Sequence, residues 1–456
     1  MRAAPRRAAA DWPPGFVSGR GYGAAVTVIH EQQAAEHIHG ICLKTGPPRR
    51  VGVELEWLVR DARNPALPVP AERIAAAVSA FGAAGTAEAR TEEALPSSSA
   101  PGVLPSGASL TTEPGGQLEL SSLPAESLAD CVRSTVEDLA VLRAAAADAG
   151  LELAGVGLDP FRAPRRILQL PRYAAMESYF DRSGPWGRQM MCATASVQVC
   201  LDAGDDGDGH SGYRWRWRLL HTIGPVLVAA FANSPLRDGR PTGWRSSRQQ
   251  VWAHMDPGRT RPPDLNGDPR ADWTEYALDA QVMCVRDDGS ADWTAPPGLT
   301  MRDWVRGGAV EGRRLRRPTT EDLSYHLSTL FPPVRPRGHF ELRMIDAQPG
   351  DGWVVPAAVT SALLGDARAG EAAMAACERL WSESAAGGDE PWLAAARHGL
   401  TDPALARASG ECFAAAREAL ARHEAPPPIL DAVDAFIEQY VAENRCPADD
   451  ILEEAL

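Results

Sequence analysis

Apolar and polar residues alternate with period two in a few short segments of this chain, and recur every three to four residues in longer ones. The first strict alternation is VGVELEWLV (51–59), with Val53, Leu55 and Trp57 on one face and Glu54 and Glu56 on the other. That is the pattern of a half-buried strand. TTEPGGQLELSSLP (111–124) repeats it: Gly115-Gly116 opens a short strand with Leu118 and Leu120 opposite Gln117, Glu119 and Ser121, and Glu113 stands just before the turn. In MMCATASVQVCLD (190–202), Thr194, Ser196, Gln198, Cys200 and Asp202 oppose Ala195, Val197 and Val199. ELAGVGLDP, EYALDAQVMCV and GHFELRMIDAQP predict further strands, and the last puts Glu341 and Arg343 on one face.

Helical spacing predicts a helix at about 30–43, closed by the Gly and Pro of KTGPPRR, and another over PVPAERIAAAVSAF. A third is expected to start at Pro124 and end before Gly150, with Leu128, Cys131, Val132, Val136, Leu139 and Leu142 on one stripe. YRWRWRLLHTIGPVLVAAFANSP reads as a long helix stopped at Asn233-Ser234-Pro235, and LPSSSAPGVLPSGAS (95–109) as a flexible loop. Ala-rich helices fill the chain from about 356 onward. Strands interrupted by long helices, without regular alternation, predict an α+β fold. The expected organisation is a loose tail at 1–28, a main domain at 29–355 and a helical C-terminal segment at 356–456 packed on it.

Composition narrows the chemistry. The 456 residues carry a net charge of −14, which argues against nucleic acid or an anionic membrane surface as partner. Lys44 is the single lysine, and CLKTGPP has no glycine-rich phosphate loop before it. A Walker-type NTPase or a protein kinase is thereby excluded, so any phosphate must be handled by arginines and metal ions. Eight cysteines show no C-x-x-C spacing, the usage of reduced, buried thiols. No apolar core follows Arg2, Arg6 and Arg7, and the longest apolar run, Ile223–Ala232, is too short to span a bilayer. The expectation is a cytoplasmic protein with no membrane, nucleic-acid or obligate protein partner.

Four strands thus share one habit, an apolar face opposite a chemically capable one: Glu54/Glu56, Glu119 with Glu113, Gln198, and Glu341/Arg343. Alternate residues on a strand face lie roughly 6.6 Å apart, a separation that lets side chains grip one divalent ion or two ions about 3.5–4 Å apart. If the strands join one sheet, five carboxylates converge, and each like-charged pair at about 4 Å costs on the order of 4 kcal/mol at an effective dielectric near 20. Cations must offset that repulsion, and all-oxygen ligation points to Mg²⁺ or Mn²⁺. His30, His37 and His39 miss the H-E-x-x-H spacing, no G-x-S-x-G elbow is present, and Cys192 and Cys200 have no base near them in sequence. The arginines of SSRQQVWAHMDPGRT and TLFPPVRPRGHFELRMIDAQPG sit among Trp, Pro and Phe. There a forked guanidinium is a natural clamp for phosphate or carboxylate.

VGVELEW, TEPGGQLELSS, RYAAMESYF, MMCATASVQVCLD, FANSP, SSRQQVWAHMDPGRT and HLSTLFPPVRPRGHFELRMIDAQP, in this order, resemble the glutamate–cysteine ligase family. The resemblance is strongest to the branch that supplies γ-glutamylcysteine for ergothioneine biosynthesis, and it runs from about 50 to 360 and more weakly beyond. It implies a glutamine-synthetase-like antiparallel β-sheet funnel surrounded by helices, with 29–355 as the catalytic ligase domain. It also implies ATP-dependent ligation of the L-glutamate γ-carboxylate to the L-cysteine amine through a γ-glutamyl phosphate. Carried over by motif, Glu54, Glu56, Glu113, Glu119 and Glu341 hold metal, Arg343 and Arg248 are catalytic, and Gln198, Arg248, Arg335 and Arg343 contact substrate or nucleotide. Gln198 stands where some branches have a metal-binding histidine. The glycine turn is expected to let the backbone bend close to metal and phosphate. A ligase of the same superfamily using another amine, or a Mg²⁺-dependent hydrolase, would use the same acids.

Overall fold

The computed structural model describes residues 28–81 and 104–455, apart from 266, 288, 308, 311–312 and 386–389. Of the tail expected at 1–28, all but Val28 lies outside the described residues, as does the loop expected at 95–109 up to residue 103. The strands are β1 (Val51–Asp61), β2 (Ser109–Thr112), β3 (Leu118–Ser121), β4 (Leu151–Ala154), β5 (Ser196–Asp202), the small hairpins β6 (Leu236–Arg237)/β7 (Arg240–Pro241) and β8 (Ala309–Val310)/β9 (Arg313–Arg314), β10 (Val334–Pro336) and β11 (His339–Asp346). The helices up to the last strand are α1 (Glu31–Cys42), α2 (Ala71–Val78), α3 (Leu128–Asp148), α4 (Pro171–Asp181), α5 (Trp186–Ala193), α6 (Tyr213–Ala230), α7 (Ser247–His254), α8 (Pro257–Thr260), α9 (Pro269–Asp279), α10 (Met301–Arg306) and α11 (Thr320–Leu327). Beyond it lie α12 (Val354–Gly365), α13 (Ala367–Ala385), α14 (Pro391–His398), α15 (Pro403–Arg422), α16 (Pro427–Phe436) and α17 (Pro447–Glu454).

Seven strands form one sheet in the order β10-β11-β5-β1-β3-β2, and β4 pairs with the far end of β1. Every pairing in it is antiparallel, so sheet and helices together agree with the α+β expectation. Register follows from the alternation. Val53 faces Val199, which faces Leu342; Leu55 lies between Val197 and Leu120; and Leu201 faces Phe340. These residues, nearly all sealed from solvent, make the core face, and each stabilises the fold by about 1.5–3 kcal/mol relative to an exposed position. α3, α6 and α12 pack on this side, with Trp217 of α6 set 5.4 Å from Phe340 between ring centres. The C-terminal helices attach through α6: Phe231, Phe413 and Phe436 form a triangle with centroids 5.0–5.8 Å apart. A Cβ on Gly224 would lie 2.0 Å from the Trp392 ring, so α14 lies directly against the α6 backbone.

Several boundaries differ from those expected. EYALDAQVMCV is not a strand. Its first half belongs to α9, where the Asp268 side chain accepts from the Arg270 N–H at 2.9 Å and Pro269 occupies the first turn. Trp273, Ala277 and Leu278 give that helix its buried face, and the remainder forms only isolated bridges, Gln281 to Thr300 and Cys284 to Thr294. The strand expected from 190 starts at Ser196, because Met190–Ala193 finish α5. α3 starts at Leu128, not Pro124: Ser127 caps it, accepting from the Asp130 N–H at 3.1 Å, while Ala125 is still extended against Val51. Helices α4 and α5 and strands β2 and β10 were not expected.

The Gly115-Gly116 turn joins β2 to β3, and packing against a helix requires glycine there. A Cβ on Gly115 would lie 2.2 Å from the Cys192 carbonyl oxygen and 2.5 Å from its Cα, while Gly116 has φ +90°. The backbone that comes close is that of α5. Gly115→Ala is expected to destabilise the fold by about 1–3 kcal/mol, read as a lower urea midpoint at unchanged slope. An unchanged midpoint would mean that turn and helix part freely.

Candidate active site

The face of the sheet opposite the core gathers the acids. Glu56 pairs with Glu119 across β1 and β3, and Glu119 with Thr111 across β3 and β2. Glu54 lies between Ser121 and Gln198, and Glu341 between Cys200 and Arg335. Between Leu342 and Ile345, β11 runs one residue longer than β5, so Arg343 and Met344 both oppose Gln198. This β-bulge leaves the alternation and aims Arg343 into the acid cluster. Glu113 arrives from the turn, held by its N–H donating to the Gln117 carbonyl at 2.8 Å.

Partners divide the five acids into two kinds. Glu341 is fully buried and accepts from Arg335 Nε at 2.6 Å, Arg343 Nη1 at 2.9 Å and Arg337 Nη1 at 3.1 Å. Burial alone would raise its carboxyl, but these three guanidiniums hold it well below the usual carboxylate range. The other four lack such neutralisation. Burial first, then Glu341 and Glu119, push Glu54 up to about 8, and burial first, then Glu119 and Glu56, push Glu113 up to about 8. Glu119 and Glu56 also rise through burial, the latter opposed by Arg248 and Arg343. Glu56 accepts from the Ser196 N–H and from Gln198 Nε2, each at 2.9 Å, and Glu119 from Thr111 Oγ1 at 3.1 Å. Glu54 and Glu113 have no side-chain hydrogen bond among the described residues.

Gln198 is engaged at both ends, since its Oε1 accepts from Arg343 Nη1 while its Nε2 donates to Glu56. The reversed amide would set NH₂ against guanidinium and oxygen against carboxylate. It therefore joins Arg343 to Glu56 and has no lone amide oxygen turned to a ligand. Arg335 donates to Glu341 and to the Leu330 carbonyl at 3.1 Å, and is 6% exposed. Its contacts are internal ones that hold Glu341. Arg248 is 2% exposed and donates from Nη2 to the Arg343 carbonyl at 2.8 Å, but its Nε and Nη1, like Arg343 Nε, are buried without a partner.

Two arginines at this site escaped the sequence reading. Arg337 follows Arg335 at strand spacing in RPRGHFE, and that alternation was the available signal. Arg172, at the start of α4, acts electrostatically on Glu113 and lies over the Tyr325 ring at 4.9 Å. Cys200, His339 and Glu341 bring ligand atoms within 4.8 Å of one another, but a cation there would meet the three guanidiniums on Glu341. The four under-neutralised acids offer only oxygen donors, which fits a hard divalent cation and not zinc. With Arg343 and Arg248 alongside, one surface can hold cations and a polyanion together.

Residues 50–454 match glutamate–cysteine ligase family 2 (GCS2). The chain is 38% identical over 431 residues to the glutamate–cysteine ligase EgtA of Mycobacterium tuberculosis (strain ATCC 25618 / H37Rv), across 93% of this chain and 90% of that one. It is 38% identical over 437 residues to EgtA of Mycolicibacterium smegmatis, across 95% and 93%. A solved glutamate–cysteine ligase from Francisella tularensis, in complex with AMP, shares 11% identity at a TM-score of 0.49 over 90% of this chain and 85% of that one. That last likeness is too slight to argue from. The chain belongs to glutamate–cysteine ligase family 2.

The raised acids give a sign to the pH dependence. Glu54 and Glu113 keep their protons in the folded state up to about pH 8, while the unfolded chain releases them near its ordinary 4.5. Stability of EDTA-treated protein therefore falls as pH rises through that window. Glu54→Gln should flatten the fall and raise the melting temperature at pH 8. Glu341→Gln should act oppositely, lowering stability by about 3–5 kcal/mol because one buried and two half-buried arginines lose their counter-charge. Thermal melts of both variants against pH check this, and a shared direction would show that the acids form one electrostatic class.

Proposed function

We propose that this protein is an ATP-dependent glutamate–cysteine ligase, joining the L-glutamate γ-carboxylate to the L-cysteine amine to give γ-glutamylcysteine, ADP and phosphate for ergothioneine biosynthesis. The observation that carries this reading is the convergence of Glu54, Glu56, Glu113 and Glu119 beside Arg343 and Arg248, in a chain that matches EgtA along nearly its whole length. The sheet is the strand layer of a glutamine-synthetase-like funnel whose inner face is this acidic one. Residues 29–355 are the catalytic domain, with 356–456 packed on it.

Those four glutamates would hold Mg²⁺ or Mn²⁺, and Glu341 would join them by exchanging one of its arginine partners. The ions supply charge neutralisation to the ATP phosphates and the acyl phosphate. The remaining work falls to the chain. Transfer of the γ-phosphoryl group to a γ-carboxylate oxygen of glutamate breaks the bond to ADP and builds charge on the equatorial oxygens. Arg343, fixed by the bulge, Gln198 and Glu341, has its unpartnered Nε for that charge. Arg248 binds an anionic oxygen of substrate through its unpartnered Nε. The cysteine amine then attacks the acyl carbon, the C–N bond forms as the C–O bond to phosphate breaks, and the amine loses a proton. The expected partners are ATP, L-glutamate and L-cysteine alone, in the cytoplasm. No helix among the described residues is long and apolar enough to cross a membrane.

The test combines purified protein, ATP, Mg²⁺ and L-glutamate with and without L-cysteine, followed by phosphate release and product mass. Cysteine-dependent phosphate release with γ-glutamylcysteine is expected, reduced at least about 100-fold in Arg343→Gln and abolished in Glu119→Gln. Release with other amines only would move the substrate, and absence of ATP turnover would return a Mg²⁺-dependent hydrolase to the front.

A further inference from the structure

Asp346 ends β11 at the point where the strand meets α7 and the Asn233-Ser234 corner after α6. Its side chain is 1% exposed. Oδ2 accepts from the Asn233 N–H at 3.0 Å and from Ser234 Oγ at 2.7 Å, and Oδ1 accepts from Ser246 Oγ at 3.0 Å. The same two serines hold the first turn of α7, since Ser234 Oγ accepts from the Arg248 N–H and Ser246 Oγ from the Gln249 N–H, both at 3.1 Å. A Cβ on Gly157 would lie 2.4 Å from Asp346 Cγ, so the carboxylate has no room to swing. It serves no donor on the acidic face of the sheet.

What it faces is Arg248, whose Nη1 lies 3.8 Å from Oδ1. That is a charge contact too long for a hydrogen bond. The guanidinium is otherwise set by Nη2 on the Arg343 carbonyl at 2.8 Å and by the Trp252 ring, 4.4 Å from Cζ to centroid. A buried cation with donors left unpaired is costly unless something accepts from them. Nε and Nη1 lie on opposite edges of the guanidinium, so with Nη1 turned to Asp346 it is Nε that can donate to an anionic oxygen.

We infer that Asp346 is a positioning residue for Arg248, an immobile counter-charge that faces Nη1 and holds the guanidinium with Nε unpartnered for an anionic oxygen of substrate. The inference rests on the ligase reading and extends it to a residue that touches no substrate. The chemistry recognised is a carboxylate or phosphoryl oxygen, and the two sources separate in the kinetics.

The experiment measures kcat and the KM values for L-glutamate and ATP in wild type, Asp346→Asn, Arg248→Gln and the double variant, with the melting temperature of each. Asp346→Asn is expected to lower kcat/KM by up to about 100-fold, as for a misplaced substrate-binding group, mostly through one KM. A rise for glutamate assigns the carboxylate, and a rise for ATP assigns the phosphoryl group. Added to Arg248→Gln, the same change should alter kcat/KM by less than about twofold, because a residue acting through Arg248 has nothing left to orient. Equal losses in both backgrounds, or unchanged KM for both substrates, would overturn the inference. If Asp346→Asn melts too low to assay, Ser246→Ala removes one of its donors more gently and must show the same dependence on Arg248. An inactive wild type would overturn the ligase reading and this inference with it, whereas an active wild type with additive losses overturns only the inference.

Discussion

Mutual repulsion among crowded glutamates is the constraint on which the rest of this structure depends. Five carboxylates share one face of an antiparallel sheet, and the fold neutralises one of them fully, Glu341, with three guanidiniums. The other four are left under-neutralised, two of them holding protons up to about pH 8. A protein selected only for stability would not keep such an arrangement. A divalent cation bound there would complete its charge balance.

The arginines are the fixed half of that balance. Arg343 reaches the acids because β11 bulges at Arg343-Met344, and Gln198 ties it to Glu56. Arg248 hangs from the carbonyl of the same bulge residue and faces Asp346. One local irregularity thus places one guanidinium and anchors a second, so the two cannot drift independently.

Much of this was legible in the sequence because period two is a direct readout of strand faces. Glu54, Glu56, Glu119, Gln198 and Glu341 were assigned to the polar face, and the structure has them on one sheet. Pairing was not legible, since no local pattern says that β5 lies between β1 and β11. Arg343 was assigned to the face of Glu341 by alternation, and the structure has it there, hydrogen-bonded to Glu341, whereas the bulge at Arg343-Met344 was not legible. Arg337 was missed although it follows Arg335 by two. EYALDAQVMCV was misread because the cap and proline that start α9, Asp268-Pro269, stand upstream of the stretch that looked like a strand. The packing of the glycine turn on α5 was not legible, because the backbone it touches, that of Cys192, is far away in sequence.

β1 carries two duties on one run of chain. Val51–Trp57 pair with β3 and β5 and present the acids, while Leu58–Asp61 pair with β4. A shift of a single residue in such a strand exchanges its two faces. Loss or gain of one codon here would turn Glu54 and Glu56 into the apolar core and bring Val53, Leu55 and Trp57 out among the arginines, with β4 displaced at the same time. Substitutions in this stretch can be graded in their effect, but a change of length cannot. Over evolutionary time β1 should therefore be a fixed ruler, against which insertions accumulate only elsewhere.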